Sequence, residues 1–568
     1  MIVNLKSALI TSIGIVPLFA VITNLSHAQS AHSQILFVNA TLQDSSETND
    51  KKYVMENEGC SVPHITHDPT WDVFQYSAKL NPCLQNQHPL IKKNKTHIWI
   101  SNRNSSYNRA LDNPNFKCCY TILQLHSIKK RDKSSSLRNC MYFKNTILAK
   151  NEFIRITCSY KTSVIYDEKF VFAVKKPFTR QRPNPFPSLS NQSAYNVVIL
   201  GLSSISRLKF HRTMKDTSNF AKNQGAIELF GYNKVADNTY QNVIPTIVGM
   251  SAEQLSRTCW PNTLATLDHC PYIWERFKDS GYYTVLAEDT TEDGIFKTNH
   301  SHFSANPTDY YFHPFTNKTN LNRNQQQSDC MGDEYYYLVA LNYIRDLMSI
   351  LSPSKLFALF WESSISRKKN NFPNSLDTDY TRFLQNLNSR GFLNETFIFV
   401  LSDRGMKHGD IRLTNRHGKS EERLRRLEER LPVASILVPP SFGEKYPLAY
   451  ENLKTNSRRL STAYDVHETL IDLINLSAIS NEELIERTRT HYTKKKGISL
   501  FLPIPGNRTC RSAGIKKQWC ACTDYKTKTR LVPRIYKKMN KVVTPKKLKM
   551  KRRMRNISTE NFVSVNHT

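Results

Sequence analysis

After its first 28 residues, this 568-residue chain lacks any apolar run long enough to cross a bilayer. It is also short of acidic residues, because 48 Asp and Glu stand against 79 Lys and Arg, which gives a formal net charge of +31. The first absence argues against several membrane spans, and the second points to an acidic partner. With 39% hydrophobic residues, the chain has apolar material for one large core and a second, smaller domain.

The N-terminal apolar run is typical of a secretory signal peptide. Lys6 precedes the apolar residues 8–22, and Ser26-His27-Ala28 resembles a cleavage site with small residues at its two key positions. We therefore assign residues 1–28 to a signal peptide and expect a secreted protein, with a membrane-anchoring signal as the alternative. Glycosylation sequons agree with this route and lie at Asn39, Asn94, Asn104, Asn191, Asn299, Asn317, Asn394, Asn475, Asn507, Asn556 and Asn566.

The twelve cysteines predict disulfide bonds, because an even number in a secreted chain is typical of a disulfide framework. Spacing alone does not give their pairing. A zinc site at Cys510, Cys520 and Cys522 is an alternative, but no histidine or fourth cysteine lies nearby at the spacing of a zinc finger. We also assign Cys259 to a disulfide, since the Ser and Arg of a sulfatase activation motif do not follow it.

The end of the chain is strongly basic. From Thr523 onward, 14 Lys and Arg stand against Asp524 and Glu560. We assign residues 506–525 to a cysteine-rich cap and residues 526–568 to a basic, disordered tail. In an extracellular protein such a tail favours a sulfated glycan or an anionic membrane surface as partner, and we expect no nucleic acid. A solvated tail without a partner is the alternative.

Two regions differ in their periodicity. Residues 29–190 have the pattern of a disulfide-stapled, β-rich domain that ends in a proline-rich linker. Residues 191–505 alternate apolar runs with amphipathic segments, which predicts a doubly wound α/β domain. Strands are predicted at 97–100, 152–157, 163–166, 169–174, 197–202, 283–287, 356–361, 396–401 and 433–438, and helices at 334–351, 380–387 and 463–474.

Polar residues follow each of the first four strands predicted in the α/β domain. Ligands of open α/β sheets bind beyond the carboxyl ends of the strands, so these residues are candidates for a site. They are Ser203 and Ser204, Glu288 and Asp289, the segment 362–367, and the segment 402–405. Thr239 is predicted to stand where a loop enters a helix, where backbone N–H groups favour anions and ease the formation of an attacking alkoxide. A plain helix cap is the alternative.

Taken together, several segments resemble an uncharacterised sulfatase-like family of the alkaline phosphatase superfamily. The resemblance covers most of residues 60–525 and implies a sulfatase-like α/β fold with an N-terminal disulfide-rich β domain. It also implies metal-assisted hydrolysis of phosphate or sulfate esters, in which commonly two zinc ions activate a Thr, Ser or modified Cys nucleophile. The matching segments are 201–208, 231–245, 286–289, 307–311, 402–405, 428–432, 497–501, 508–510 and 519–522.

Residue by residue, the resemblance implies a degraded metal site. Thr239 falls at the nucleophile, and Asp403 matches the Asp of an Asp-His-Gly motif. Ser203 stands where a ligand Asp is expected, Arg404 replaces the His of the motif, and Arg367 stands where the family has a His.

These replacements change what the site can bind. Serine is a weaker ligand than a carboxylate, and arginine offers no lone pair to zinc and repels a cation. Arg367 and Arg404 are therefore predicted to pair with Asp403 or with a bound sulfate or phosphate. The alternative is that a neighbouring His408 or His417 supplies a ligand.

The leading hypothesis is a secreted, glycosylated, sulfatase-like protein without metal-dependent catalysis that binds an anionic glycan, and it requires no cofactor. The first alternative is an active hydrolase of phosphate or sulfate esters with Thr239 as nucleophile and two zinc ions. The second is a non-catalytic extracellular structural protein, since fold does not fix function.

Overall fold

A seven-stranded mixed sheet forms the centre of the chain in the computed structural model. The structure describes residues 53–64, 83, 90–101, 113–123, 140–177, 194–260, 266–290, 294–296, 303–316, 329–331, 333–366, 373–406, 426–490 and 496–523. The predicted signal peptide, the tail 526–568, Arg367, His408 and His417 lie outside the described residues.

The strands, in chain order, are β1 (Tyr53–Glu56), β2 (Ser61–Pro63), β3 (Ile91–Lys93), β4 (His97–Ile100), β5 (Phe116–Ile122), β6 (Met141–Phe143), β7 (Ile147–Leu148), β8 (Phe153–Tyr160), β9 (Ser163–Val171), β10 (Asn196–Leu202), β11 (Ile227–Glu228), β12 (Gly231–Tyr232), β13 (Tyr283–Glu288), β14 (Tyr310–Tyr311), β15 (Cys330–Met331), β16 (Glu334–Tyr335), β17 (Leu356–Glu362), β18 (Thr396–Ser402), β19 (Ala434–Leu437) and β20 (Leu460–Ser461).

The helices are α1 (Arg207–Thr213), α2 (Lys215–Asn223), α3 (Thr239–Val248), α4 (Ala252–Thr258), α5 (Ile273–Asp279), α6 (His313–Thr316), α7 (Tyr336–Leu351), α8 (Pro373–Ser389), α9 (Pro440–Lys445), α10 (Pro447–Asn456), α11 (Ala463–Ile474) and α12 (Asn481–Thr490). Short 3₁₀ turns lie at Phe392–Glu395, Leu476–Ile479 and Lys517–Trp519.

The central sheet has the order β11-β19-β18-β10-β17-β13-β14. The five strands from β18 to β14 run parallel, β19 is antiparallel to β18, and β11 is antiparallel to β19. The carboxyl ends of β10, β13, β17 and β18 therefore meet at one edge of the sheet, as the sequence predicts.

Strand β10 is buried on both faces. Val197 and Ile199 pack into one apolar layer with residues of α3, α5 and α11, whereas Val198 and Leu200 pack into a second layer with residues of α7 and α8. This two-sided burial explains why the strand reads as a continuous apolar run instead of an alternating one. The predicted α/β fold class is confirmed.

The N-terminal region is β-rich, as predicted. Strands β6, β5, β8 and β9 form an antiparallel sheet, and β3, β4 and β7 form a second one. The sequence predicts separate strands at 163–166 and 169–174, but one strand, β9, runs from Ser163 to Val171 because its pairing with β8 continues across a bulge opposite Cys158 and Ser159. Lys169 also contacts the α/β part, donating a hydrogen bond to the backbone oxygen of Phe315.

All twelve cysteines form disulfides, as their even number predicts. Two of the six bonds join the N-terminal region to distant parts of the chain, since their partners are separated by 462 and 247 residues. The described residues from Tyr53 onward belong to one compact unit, and the predicted domain boundaries stay predictions. The pairs are Cys60–Cys522, Cys83–Cys330, Cys118–Cys158, Cys119–Cys140, Cys259–Cys270 and Cys510–Cys520.

Within the described part of the chain, no helix has the length and apolar character needed to cross a membrane.

Gly201 gives a test of the packing around β10. A Cβ atom built at Gly201 would lie 1.9 Å from a ring carbon of Trp361, whereas one built at Gly506 meets nothing within 4 Å. Gly201→Ala should therefore lower the free energy of unfolding by about 1–3 kcal/mol through overpacking. Chemical denaturation measures this loss. Gly506→Ala is the matched control, and an equal effect of both variants would contradict the packing described here.

Candidate functional site

Ser203 and Ser204 begin the candidate site, directly after β10. Ser203 is fully buried, its N–H donates to the backbone oxygen of Glu362 (2.9 Å), and its Oγ lies 3.4 Å from Oγ1 of Thr239. Ser204 has φ +63°, a left-handed conformation that costs a non-glycine residue about 1 kcal/mol or more. Its N–H donates to Oδ1 of Asp403 (2.8 Å), which holds the turn in place.

Thr239 is the first residue of α3, as the sequence predicts. The N-cap is its neighbour Asn238, whose side chain accepts a hydrogen bond from the N–H of Gln241 (3.0 Å). Asn242 fixes the loop before the helix, since its Oδ1 accepts from the N–H groups of Val235 and Ala236. Thr239 is therefore not the cap, and its buried hydroxyl is left to face Ser203 at the positive end of the helix.

Asp403 and Arg404 follow β18, the neighbour of β10. The Asp403 side chain is fully buried, and its Oδ2 lies 3.6 Å from Nε of Arg404. That distance is an ion pair but too long for a hydrogen bond. Among the described residues, neither Oδ2 of Asp403 nor Nε of Arg404 has a hydrogen-bond partner. Arg404 is anchored instead through Nη1, which donates to the backbone oxygen of Gly405 (3.1 Å).

Lys234 is a second buried cation near this edge, and no role is predicted for it from the sequence. Its Nζ lies 2.6 Å from Oε1 of Glu429 and 3.8 Å from the ring centroid of Trp519. Burial lowers the pKa of Lys234, the hydrogen bond to Glu429 opposes this, and the positive charge of Arg404 lowers it further. The only signal in the sequence is that Lys234 and Glu429 both fall in segments matching the family.

Glu288, Asp289 and Glu362 form a separate carboxyl cluster. Asp289 accepts hydrogen bonds from the N–H groups of Ser363 (2.9 Å) and Ser364 (3.1 Å). Since β13 and β10 are two strand spacings apart, the backbone of Asp289 lies about 10 Å from that of Ser203. The polar strand ends share one edge, but their side-chain contacts divide them into two groups.

The other two acids of the cluster also bind backbone N–H groups. Glu362 accepts from Ile365 (2.7 Å) and Ser366, and Glu288 accepts from Ile295 and Phe296. Burial raises the pKa of Glu288 to about 8, and burial together with the negative charge of Asp289 raises the pKa of Glu362 to about 8. Burial thus favours the protonated form of both glutamates, and their contacts with backbone N–H groups hold the loops.

A zinc pair does not fit the described residues around Thr239. Catalytic zinc takes imidazole nitrogen, thiolate or carboxylate donors, whereas the donors here are two hydroxyls and the carboxylate of Asp403 beside a fixed cation. In the described ranges, Cys510, Cys520 and Cys522 are the only group of three or more His, Cys, Asp or Glu residues whose donor atoms all lie within 4.8 Å of one another. Those three cysteines are in disulfides, so the zinc alternative weighed for them does not hold in this oxidised state.

The structure brings together some, but not all, of the site residues predicted from the sequence. Ser203, Thr239, Asp403 and Arg404 lie at one edge and are linked by direct contacts through the turn at Ser204. Arg367 lies outside the described residues. Their roles as nucleophile, anion ligand or metal ligand stay predictions.

The chain belongs to the family described as protein of unknown function (DUF229), which matches residues 77–559. This membership confirms the assignment to an uncharacterised family. No curated protein matches the chain.

Several solved structures are similar to the chain in fold. One, from work on the metabolism of multiple glycosaminoglycans by Bacteroides thetaiotaomicron, is 13% identical, with a TM-score of 0.33 and coverage of 51% of this chain and 75% of that chain. The C-terminal periplasmic domain of EptC from Escherichia coli, in complex with Zn, is 12% identical, with a TM-score of 0.36 and coverage of 50% and 83%. A protein of the alkaline phosphatase superfamily from Vibrio parahaemolyticus is 14% identical, with a TM-score of 0.29 and coverage of 50% and 67%.

Asp403 should be needed for stability because it holds both Ser204 and Arg404. Asp403→Ala removes the acceptor of the Ser204 N–H and the partner of a buried cation, so we expect a loss of about 3–5 kcal/mol in unfolding free energy. Asp403→Asn keeps an acceptor oxygen and should lose less, about 1–3 kcal/mol. Chemical denaturation measures both. Asp279→Ala, at an exposed position, is the control; a D403A variant as stable as D279A would contradict this role.

Glu362 should make stability depend on pH. Its pKa rises from the ordinary 4.5 to about 8 in the folded chain. Between these values the folded chain holds a proton that the unfolded chain has lost, so stability falls as pH rises, by about 1.4 kcal/mol per pH unit at most. Glu362→Gln is neutral at every pH and should flatten the profile, although Glu288 still contributes its own slope.

The measurement is the unfolding free energy of the wild type and E362Q between pH 5 and pH 9. The exposed Glu482 supplies the control E482Q, which should follow the wild-type profile. Parallel profiles for E362Q and the wild type would show that Glu362 is ionised in the folded chain.

Proposed function

We propose that this chain is a secreted, non-catalytic member of its family that uses the edge pocket, formed by Ser203, Thr239, Asp403 and Arg404, to bind a sulfate or phosphate group. The ligand class is an anionic glycan. The basic tail 526–568 supplies a second contact to the same ligand.

The observation that carries the proposal is the bonding of Arg404. Its guanidinium forms an ion pair with Asp403, with 3.6 Å between Nε and Oδ2. It also donates one hydrogen bond, from Nη1 to the backbone oxygen of Gly405. Within the described part of the chain, Nε makes no hydrogen bond; it is buried and faces Oδ2 of Asp403, which has no hydrogen-bond partner either. The donors of a planar guanidinium match the oxygens of sulfate and phosphate.

The groups around Arg404 are better suited to binding an anion than to catalysing ester hydrolysis. Thr239 brings its hydroxyl and the positive end of α3 to the pocket, and both favour an anion. In an active ester hydrolase the nucleophilic hydroxyl needs a base or a metal to activate it. Within the described residues, the Thr239 hydroxyl meets only the hydroxyl of Ser203.

The charge balance limits how tightly an anion can bind. The cations Arg404 and Lys234 stand against Asp403 and Glu429, and the negative charge of Asp237 also acts on Lys234, so the described side chains carry no excess of positive charge. The positive potential then comes from the start of α3. Arg367 would add a cation if it joins the pocket. The excess of +31 over the whole chain draws acidic ligands to the surface before they reach the pocket.

The first experiment separates binding from catalysis. Elemental analysis of the purified secreted protein should find no stoichiometric zinc, and neither aryl phosphate nor aryl sulfate should be hydrolysed. About two zinc ions per chain, with turnover abolished by Thr239→Ala, would establish the active hydrolase instead.

The second experiment tests the anion. Inorganic sulfate should stabilise the wild-type protein against thermal unfolding, by about 2.7 kcal/mol at a hundredfold excess over Kd. Arg404→Gln should abolish the shift, and Arg404→Lys should keep part of it because the charge stays but the fork is lost. Arg382, whose side chain is 68% exposed, supplies the control R382Q.

Heparin binding then distinguishes the contribution of the pocket to glycan binding from that of the tail. If heparin binding survives R404Q but is lost when the basic residues 546–553 are changed to glutamine, the tail alone binds the glycan. If sulfate does not shift the thermal unfolding and heparin does not bind, the results would support the second alternative, a non-catalytic extracellular structural protein.

A further inference from the structure

The four-stranded sheet of the N-terminal region has two different faces. Strands β6, β5, β8 and β9 lie side by side, and alternate residues such as Cys118, Ile156 and Phe170 pack into the apolar core of that region. Their neighbours along the strands point to the opposite side, which we call the outer face. By the register of the strands, the outer face carries Lys117, Tyr142, Phe153, Arg155, Val164 and Asp167.

One end of the outer face is covered by the α/β part. The ring of Phe153 packs against the rings of Phe312, Phe315 and Tyr343, with ring centroids 5.9, 5.5 and 6.2 Å apart. Lys169 lies at the same end and donates a hydrogen bond to the backbone oxygen of Phe315 (3.2 Å). The start of β8 and the end of β9 are therefore occupied by contacts within the chain.

The opposite end of the outer face is exposed. It is formed by the segments 113–119, 141–147 and 157–166, which we call the distal end. Tyr142 is 70% exposed and Val164 is 60% exposed, the two highest values among the large hydrophobic residues that the structure describes. They stand on β6 and β9, three strand spacings or about 14 Å apart. An apolar pair spread so widely over a sheet suits a flat partner better than a small ligand.

The distal end is also basic. Its three segments contain Lys117, Lys144 and Lys161, all exposed, and no Asp or Glu. The acid next to it on the outer face is Asp167, which Arg155 holds in a two-pronged ion pair with 2.6 Å between Nε and Oδ1. Asp167 is therefore offset by its own partner, and the distal end carries an excess of positive charge.

We propose that the distal end binds an anionic membrane surface. Its lysines would lie among phospholipid headgroups, where each basic residue strengthens binding about fivefold. Tyr142 would stand at the headgroup level, which suits a ring with one polar end, and Val164 would enter the apolar boundary. The exposed aliphatic side chain decides for a lipid surface over a sulfated glycan, because a glycan offers it little apolar contact.

Helix α12 shows an exposed apolar residue in the opposite electrostatic setting. Ile485 is 47% exposed, and the exposed acids Glu482, Glu483 and Glu486 lie on the same helix. An anionic surface would repel these carboxylates. Ile485 therefore serves as a matched control for the apolar residues of the distal end.

The first test concerns the lysines and uses co-sedimentation of the full-length protein with vesicles. The basic residues 546–553 of the tail are changed to glutamine in every protein compared, so that the tail does not mask the sheet. Vesicles of phosphatidylcholine and phosphatidylserine, about three to one, should bind the protein, and phosphatidylcholine alone should not. The triple variant K117Q/K144Q/K161Q should weaken binding at least tenfold, and rising salt should weaken binding of the parent protein.

The matched control for the lysines removes the same charge elsewhere. K215Q/K222Q/K445Q changes three exposed lysines of the α/β part and should bind like the parent protein. Equal losses in the two triple variants would overturn the proposal, because binding would then follow net charge alone.

The second test concerns the apolar residues. Tyr142→Ser combined with Val164→Ser should weaken vesicle binding roughly tenfold without changing the net charge, whereas Ile485→Ser should leave it unchanged. Thermal unfolding of each variant checks that the sheet stays folded. Unchanged vesicle binding by the folded double variant would overturn the proposal.

Two further measurements test other occupants of the distal end. Heparin binding that is lost in the lysine variant while vesicle binding persists would assign the distal end to a sulfated glycan instead. A dimer in light scattering that the serine double variant dissociates would assign it to a second copy of the chain. Neither test involves Arg404, so the outcome is independent of whether the edge pocket binds an anion.

Discussion

The two-sided burial of β10 is the constraint on which the rest of the structure depends. The strand is hydrogen-bonded to β17 on one edge and to β18 on the other, and its alternate side chains belong to two apolar layers. A shift of register by one residue would move each apolar set to the wrong layer. The position of Ser203 and Ser204 at the end of the strand is therefore fixed by packing along its whole length.

The positions of Asp403 and Arg404 follow from that fixed end through their contacts with the turn at Ser204 and with each other. The left-handed turn at Ser204 needs an acceptor for its N–H, and Asp403 supplies it from the neighbouring strand. Asp403 in turn offsets the charge of Arg404. The carboxylate of Asp403 thus accepts a hydrogen bond from a backbone N–H and lies beside a guanidinium.

The buried acids Asp289 and Glu362 show how much of the site can be predicted from the residues that follow each strand. A parallel sheet does bring the ends of β10, β13, β17 and β18 to one edge, and the sequence predicts this correctly. Which polar residues then touch is decided by strand order and by the loops. Asp289 and Glu362 bind the backbone of the loop at 363–366, since buried N–H groups there need acceptors. They therefore stabilise loops at the same edge where Ser203 faces Thr239.

The sequence by itself determined the longest strands and helices of the α/β part, whereas short strands such as β11 and β12 and helices such as α1 and α2 were not predicted. Continuous apolar runs predict the buried strands, helical spacing predicts α7, α8 and α11, and the even cysteine count predicts a disulfide-bonded chain, because burial and periodicity act on neighbouring residues. Only the tertiary structure decided the pairings between residues far apart in sequence. It brought Cys60 to Cys522, Lys234 to Glu429, and Arg508 to Asp465. Such contacts depend on how layers pack in space, and the spacing of residues along the chain carries no record of that packing.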